Sequence, residues 1–594
     1  MLRRMFQKSV LFYKYRFTQL FSLIVLASVA TSAFADAPGK PIYGPFRADE
    51  GGEYPRAIRL QHSGGANGTL LATFEHTFRD STPGYLVIKR STDDGVTWTE
   101  AATISEPNKW PTMWQPFLLE LPRRIGPYPE GTILLAENSS IRPGNASTKP
   151  QTRIFLFSSA DHGSTWQKDS VVTSGAGPKQ GVWEPFLFID GRGQLLVYFS
   201  DERHSDRYSQ FLGGYVYDEA RSAFDTSREL NLASGLRTDR PGMVTIAPLP
   251  GGGFMAAYEV CTSLRVSHCP VHTKISSDGF HWSGGLGELI APRDGNVPAN
   301  NPYLVWSPVG GPNGRLSMIA EYTADVPSNL MLINQDPGFR PGAWEWVPRP
   351  YVNQHTQYSA SLLPSQDGHE MRLFGAARLE EAVRPYVLTA TANAGVLPYT
   401  DTFSTGADYG WLDFGGSWSV SQDAGEGVYT DAGGPGAKAI SGSSVWRDYT
   451  LRSEIKLNQA GQAGVLVRVS NPGTGPDALN GYYIGINPQS GLLFGGREDG
   501  HWTKLASAPA HGLVVGHWYT IIVQAHGSQF EADVTERGGA APLGHIAFID
   551  DRFATGAIGL RDFNASASWR SVHVEAEGVH PPRVGRPMMP ASQP

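Results

Sequence analysis

The chain has 594 residues, a formal charge of -7 and 18% charged side chains. That length exceeds one ordinary core, so several domains or one large repeat architecture plus a further module are expected. The mild negative charge lacks the basic surface of a nucleic-acid binder. The 68 Gly and 43 Pro, set among 15 Trp, 23 Tyr and 27 Phe, point to many short strands joined by tight turns.

The first element is a leader. Arg3, Arg4, Lys8, Lys14 and Arg16 precede the apolar run LFSLIVLASVATSAFA, which ends in Ala33-Phe34-Ala35, a small-x-small cleavage pattern. The reading is a signal peptide over residues 1–35 and a secreted or periplasmic protein. An uncleaved anchor is the alternative, although the run is short for a membrane span. No membrane association is expected of the mature form, which is read as a monomer.

A strand pair then recurs six times at steps of roughly 60 residues. Its copies start at Tyr54, Trp114, Trp183, Arg240, Asn301 and Tyr358, and most carry Pro directly after the first or second residue. Proline is tolerated there because a strand can begin without losing a ladder bond. A second repeat keeps phase with the first: residues 91–98 (STDDGVTW) and 159–166 (SADHGSTW), with a shortened copy at 276–282 (SSDGFHW). In such a turn Asp accepts backbone N–H groups, Gly supplies positive φ, and Trp packs under the sheet. This pattern resembles the Asp-box of sialidase-like propellers. Six units of about four strands make a six-bladed β-propeller over residues 36–397.

Propeller geometry sorts the side chains. Strand starts and returning strand ends share one mouth, and the Asp-box turns lie on the far face. The mouth therefore gathers Arg56, Trp114, Gln115, Trp183, Glu184 and Asn301 from strand starts. Glu75, His76, Asp201, Glu202, Tyr258, Glu259, Glu321 and Arg378 come from strand ends. Carboxylates, amides and aromatic faces suit a sugar. Trp114 and Trp183 read equally well as stacking platforms or core, and Arg56 and Arg240 read as ion-pair partners of Glu75 and Asp239 or as hydroxyl binders. Cys261 and Cys269 lie in one candidate loop of an exported chain, so a disulfide is expected over two buried thiols. Neither a cofactor nor a metal is expected.

The segments Trp183-Glu184-Pro185, Tyr258-Glu259-Val260 and Tyr358-Ser359, with the six-blade phasing, resemble glycoside hydrolase family 93, the exo-acting α-L-arabinanases. The resemblance covers the propeller. It implies a retaining hydrolase of arabinan or arabino-oligosaccharides with Glu184 as nucleophile, Glu259 as acid/base and Tyr358 near the reacting centre. Arg56, Trp114, Gln115, Trp183, Asp201, Arg240, Tyr258 and Asn301 are the candidate substrate-binding residues. Two alternatives stay open. A sialidase would use Tyr358 as nucleophile and clamp a carboxylate with Arg56, Arg240 and Arg378. A lectin propeller would bind glycans without catalysis.

After about Leu397 the repeat stops, and residues 392–398 read as a short linker. Alternating runs such as YTLRSEIKL, AGVLVRVS and QFEADVTE, separated by Gly, Asn and Pro, indicate an antiparallel sandwich over residues 398–577. It resembles a concanavalin or laminin-G-like jelly roll, and a carbohydrate-binding role is the expectation. Trp411, Trp418, Trp446, Trp502 and Trp518 are its candidate platforms. Residues 578–594 read as a loose, Pro-rich tail.

Overall fold

The computed structural model describes residues 39–80, 82–141, 151–262, 268–292, 295–323, 326–327, 330–351, 358–378 and 385–576. The expected signal peptide and tail, and the side chain of Arg378, lie outside the described residues. Apart from two 3-10 turns, Gly64–Ala66 and Pro341–Ala343, every regular element described is a strand.

Six sheets of about four antiparallel strands follow one another along the chain. The second is the most regular: Thr112–Glu120, Ile133–Ile141, Gln151–Ser159 and Gln167–Ala176. The sixth is completed from the other end of the chain, since Lys40–Tyr43 pairs with Pro385–Asn393. This pairing ties the start of the propeller to its last blade, with Lys40–Tyr43 as that blade's outermost strand.

The inner strands are apolar on both sides because each blade is packed against two others. Leu134 and Leu156 of the second blade share a buried cluster with Leu187, Val197 and Phe199 of the third. Leu196 and Tyr198 of the third blade meet Val244, Ala256 and Tyr258 of the fourth. The repeated turns behave as local devices. Asp93 accepts from the Thr97 N–H (2.9 Å) and hydroxyl (2.5 Å), and Trp98 Nε1 donates to Gly95 O. Asp161, Thr165, Gly163 and Trp166 repeat these bonds.

A feature of the strand starts escapes sequence reading. Tyr54, Gln115, Glu184, Met243, Asn301 and Ser359, one per blade, all have φ between 49° and 59°. This left-handed conformation is costly for non-glycine residues. In the second, third and fourth blades it coincides with a register shift in the first strand pair. Such a bulge tips the backbone N–H of the left-handed residue away from its own ladder and frees it for another partner.

The remaining residues form two sheets packed face to face. One contains Trp418–Asp423, Glu426–Gly434, Ala565–Ala576, Tyr449–Leu457, Trp518–His526, Gln529–Glu536 and Pro542–Ile549, with Tyr399–Asp401 added beside Ala565–Ala576. The other runs Leu412–Phe414, Lys438–Ser441, Ala557–Phe563, Gln462–Ser470, Asn480–Asn487, Leu492–Asp499 and Trp502–Pro509. Two of the tryptophans read as platforms are core instead: Trp411 and Trp446 are buried among Tyr399, Phe403 and Tyr449. Trp418 lies against Trp569, and Trp518 lies between Arg570 and Lys456. The segment read as a linker is pinned on both sides. Trp446 Nε1 donates to Gly395 O (3.2 Å), the buried Arg315 donates to Ala394 O, and Ser444 Oγ donates to Glu345 Oε2 (2.9 Å).

Candidate active site

Strand pairing places five side chains in one equivalent position. Asn138 pairs with Trp114, Ser200 with Trp183 and Glu259 with Gly242, in each case opposite the residue that precedes the left-handed one. Glu75 and Glu321 take the same place in the first and fifth blades, where their N–H groups donate to Glu53 O and Asn300 O. The ring of left-handed residues and the ring of opposing side chains face each other around the mouth.

The freed N–H groups bind side chains of neighbouring blades. Glu184 N donates to Gln115 Oε1 (3.0 Å), Met243 N to Glu184 Oε2 (2.9 Å) and Asn301 N to Glu259 Oε2 (2.8 Å). Glu184 Oε2 also accepts from Ser200 Oγ at 2.5 Å. Gly242 is the residue that lets this carboxylate in: a Cβ there would lie 3.2 Å from Glu184 Oε2 and 2.8 Å from Gln210 Nε2. Because Gly242 is the ladder partner of Glu259, the two glutamates address the same spot from the third and fourth blades.

Burial acts on both. Burial raises Glu184 above the ordinary value of 4.5, while the Ser200 hydroxyl, the Met243 N–H and Arg240 work against the rise. Burial pushes Glu259 up to about 8, the nearby Glu184 charge adds to this, and the Asn301 N–H opposes it. Both carboxyls are thus raised by burial, and each has a backbone N–H that favours its charged form. Burial, with Glu184 and Glu259 close by, also raises Tyr358 well above its usual range, so its phenol remains a neutral donor.

The disulfide between Cys261 and Cys269 (Cα–Cα 4.4 Å) borders Glu259. Its Cys261 Sγ lies 3.7 Å from Glu259 Oε1, an apolar neighbour that adds to desolvation. Cys269 N donates to Asn300 Oδ1, one residue from the N–H that holds Glu259.

Several predicted site residues have other duties. Tyr258 is fully buried and donates to Leu286 O (2.6 Å): consecutive strand residues face opposite ways, so Glu259 facing the mouth sends Tyr258 into the core. Asp201 is also fully buried and forms a two-pronged ion pair with Arg203. Arg56 does not pair with Glu75; it donates to Ser359 O (2.8 Å) and Oγ (2.7 Å) and stacks on Tyr54. Arg240 pairs with Glu202 (2.6 Å) and Gln210 (2.8 Å), not with Asp239. Asn301 donates its amide to Glu321 and its N–H to Glu259, which makes it a positioning residue. His76 stacks on Tyr85 with ring centroids 4.4 Å apart.

Two clefts open among the strand-start residues, and neither is lined by Glu184 or Glu259. Trp114, Gln115, Glu53, Glu75 and Tyr358 line one of about 520 Å³. Trp183, Glu202, Gln151 and Lys179 line another of about 470 Å³. Both tryptophans are half-buried at these walls. The contributors that sequence reasoning missed are Ser200 and the Met243 N–H. Ser200 was legible only as the repeat equivalent of Glu259; a backbone N–H has no sequence signal.

The buried carboxyls set a dependence of stability on pH. Glu75 and Glu259 titrate at about 8 in the folded protein, against an ordinary value of 4.5. The folded state therefore holds protons that the unfolded chain gives up. Stability from this source is complete below the ordinary value and is lost as pH rises through about 8. The turn carboxylate Asp93, held at about 2, acts at lower pH and does not mask the effect. Calorimetry is expected to show a lower Tm at about pH 8.5 than at about pH 5.5, with a smaller difference in Glu75→Gln.

Residues 406–575 match the 3-keto-alpha-glucoside-1,2-lyase-like domain family. No curated protein matches the chain. Among solved structures, a GH93 alpha-L-arabinofuranosidase of Fusarium graminearum in complex with arabinobiose is 28% identical, with a TM-score of 0.50, and covers 60% of this chain and 98% of its own. A Penicillium chrysogenum alpha-L-arabinanase complexed with arabinobiose is 29% identical, with the same TM-score and coverage. The propeller strands, from Lys40 to Asn393, take up a like share of the chain. It is to these arabinan-type glycosidases of family GH93 that the six-bladed part of the chain is similar.

Proposed function

We propose that the chain is a secreted glycoside hydrolase that cleaves α-1,5-linked arabino-oligosaccharides from the chain end, releases arabinobiose, and retains anomeric configuration. The observation that carries the reading is the Glu184–Glu259 pair: one carboxylate held by two donors, the other kept protonated beside it. In the first step Glu184 attacks the anomeric carbon as Glu259 protonates the departing glycosidic oxygen, which leaves a glycosyl ester on Glu184. In the second step Glu259, now ionised, takes a proton from water, whose oxygen attacks the anomeric carbon on the face vacated by the leaving sugar, opposite Glu184, and breaks the ester bond so that Glu184 leaves as a carboxylate. Tyr358, a neutral donor near both carboxyls, stabilises Glu184 as it leaves. The likeness to two arabinobiose-bound enzymes supports the substrate class.

The commitment of Arg56 to Ser359 and of Arg240 to Glu202 weighs against a sialidase, since two of the three arginines of a carboxylate clamp are already occupied. The second domain is proposed to hold polysaccharide near the propeller and so raise local substrate concentration. The deciding experiment is incubation with debranched arabinan, linear arabino-oligosaccharides and a sialoside, followed by product analysis and NMR of the first anomer formed. Arabinobiose as the sole early product, formed with retention, is the expected result; free sialic acid would overturn it.

A further inference from the structure

The repeat places a third carboxyl at the mouth that the mechanism above does not use. Glu75 holds in the first blade the position that Glu259 holds in the fourth, opposite the residue before the left-handed one. As Asn301 does for Glu259, the next left-handed residue, Gln115, offers its N–H to Glu75. The Glu75 side chain is only 7% exposed, and that remainder opens on the cleft it lines with Trp114, Gln115 and Tyr358. Gly52 draws the covering loop down onto it, since a Cβ there would lie 2.6 Å from Glu75 O.

Glu75 Oε2 has no hydrogen-bond partner among the described residues. Arg56, a cation whose charge acts on Glu75, gives its guanidinium to Ser359 and the Pro55 carbonyl. A buried polar oxygen without a partner is uncommon and calls for one supplied from outside. Burial and the neighbouring Glu53 charge hold this carboxyl protonated up to about pH 8, so it is both donor and acceptor, the complement of a hydroxyl. The terminal torsion of a glutamate is soft, so either oxygen reaches the cleft.

We propose that Glu75 is a substrate-binding residue that hydrogen-bonds a ring hydroxyl of the sugar seated between Trp114 and Tyr358. This rests on the arabinan reading and assigns a residue to it. The test uses full-length Glu75→Gln and Glu75→Leu with linear arabino-oligosaccharides, plus calorimetric binding of arabinobiose. Glu75→Gln keeps an amide that can meet both the Gln115 N–H and a hydroxyl, so its KM is expected within about threefold of wild type. Glu75→Leu is expected to raise KM about tenfold or more while kcat changes less. In wild type KM is expected to rise above about pH 8, as the proton that binds the hydroxyl is lost, and in Glu75→Gln to stay flat. That pH comparison decides the matter if the Leu variant does not fold. An unchanged KM in folded Glu75→Leu, or the same alkaline rise in Glu75→Gln, overturns the role of Glu75 alone. Arabinobiose binding without hydrolysis by wild type overturns the catalytic reading and leaves Glu75 to be judged by the binding loss in the Leu variant; neither binding nor hydrolysis overturns both.

Discussion

Glu184→Gln is expected to lower kcat on arabino-oligosaccharides by roughly 10⁴-fold or more, because it removes the atom that forms the glycosyl ester. Binding should survive. The amide oxygen introduced by the substitution still accepts from Ser200 Oγ and Met243 N, the two donors that fix the wild-type carboxylate. Calorimetry should therefore find arabinobiose affinity within about threefold of wild type. Glu259→Gln should behave differently. Losing a positioned acid costs about 10²–10⁴-fold on natural substrates. On an aryl arabinofuranoside with a good leaving group, bond breaking no longer needs a proton, so the first step should recover and the intermediate should accumulate on Glu184 as a burst. The two variants thus separate nucleophile from acid. Turnover of Glu184→Gln within about tenfold of wild type would end the double-displacement reading. A lectin would show no turnover to lose.

The rate of hydrolysis should be bell-shaped in pH, with an alkaline limb near 8. The working form carries one proton on the pair, with Glu184 ionised and Glu259 protonated. Burial and the Glu184 charge hold Glu259 at about 8, so kcat/KM should fall as pH rises through that value. On the acid side Glu184 lies above the ordinary 4.5, so that limb should fall at higher pH than an exposed glutamate would give. The two limbs are properties of the coupled pair rather than of either residue. Glu259→Gln, assayed with the aryl substrate, should lose the alkaline limb and keep the acid one. Retention of the limb near 8 in that variant would assign it to another group and remove Glu259 as the acid.

Much of this site was readable from residue order. The six strand pairs kept phase with the Asp-containing turns, and that phase alone put Glu184 and Glu259 at one mouth. The misplaced residues have separate causes. Tyr258 reads as a strand-end residue beside Glu259, yet side chains alternate along a strand, so one of the two has to face the core. Asp201 reads the same way, although Arg203 two residues on neutralises it. Arg56 reads as a partner of Glu75, but its true partner, Ser359, is 303 positions away and becomes adjacent only when the sixth blade closes on the first. The tryptophans of the second domain show the limit most plainly: Trp411 and Trp446 are as aromatic as any sugar platform, and only the packing of Tyr399 and Phe403 makes them core.

The residue order determined the strand repeat, the ring it closes, the face on which the acidic side chains collect and the boundary after which a sandwich begins. It could do so because strand periodicity, turn chemistry and proline placement act over a few residues. Only the tertiary structure decided how far each of those acids is shifted from its ordinary value. That depends on donors from other blades, on the left-handed bulges that release backbone N–H groups toward Glu184 and Glu259, and on how far burial outweighs them. A proton equilibrium is set by everything within a few ångströms, and around this mouth those neighbours come from distant parts of the chain.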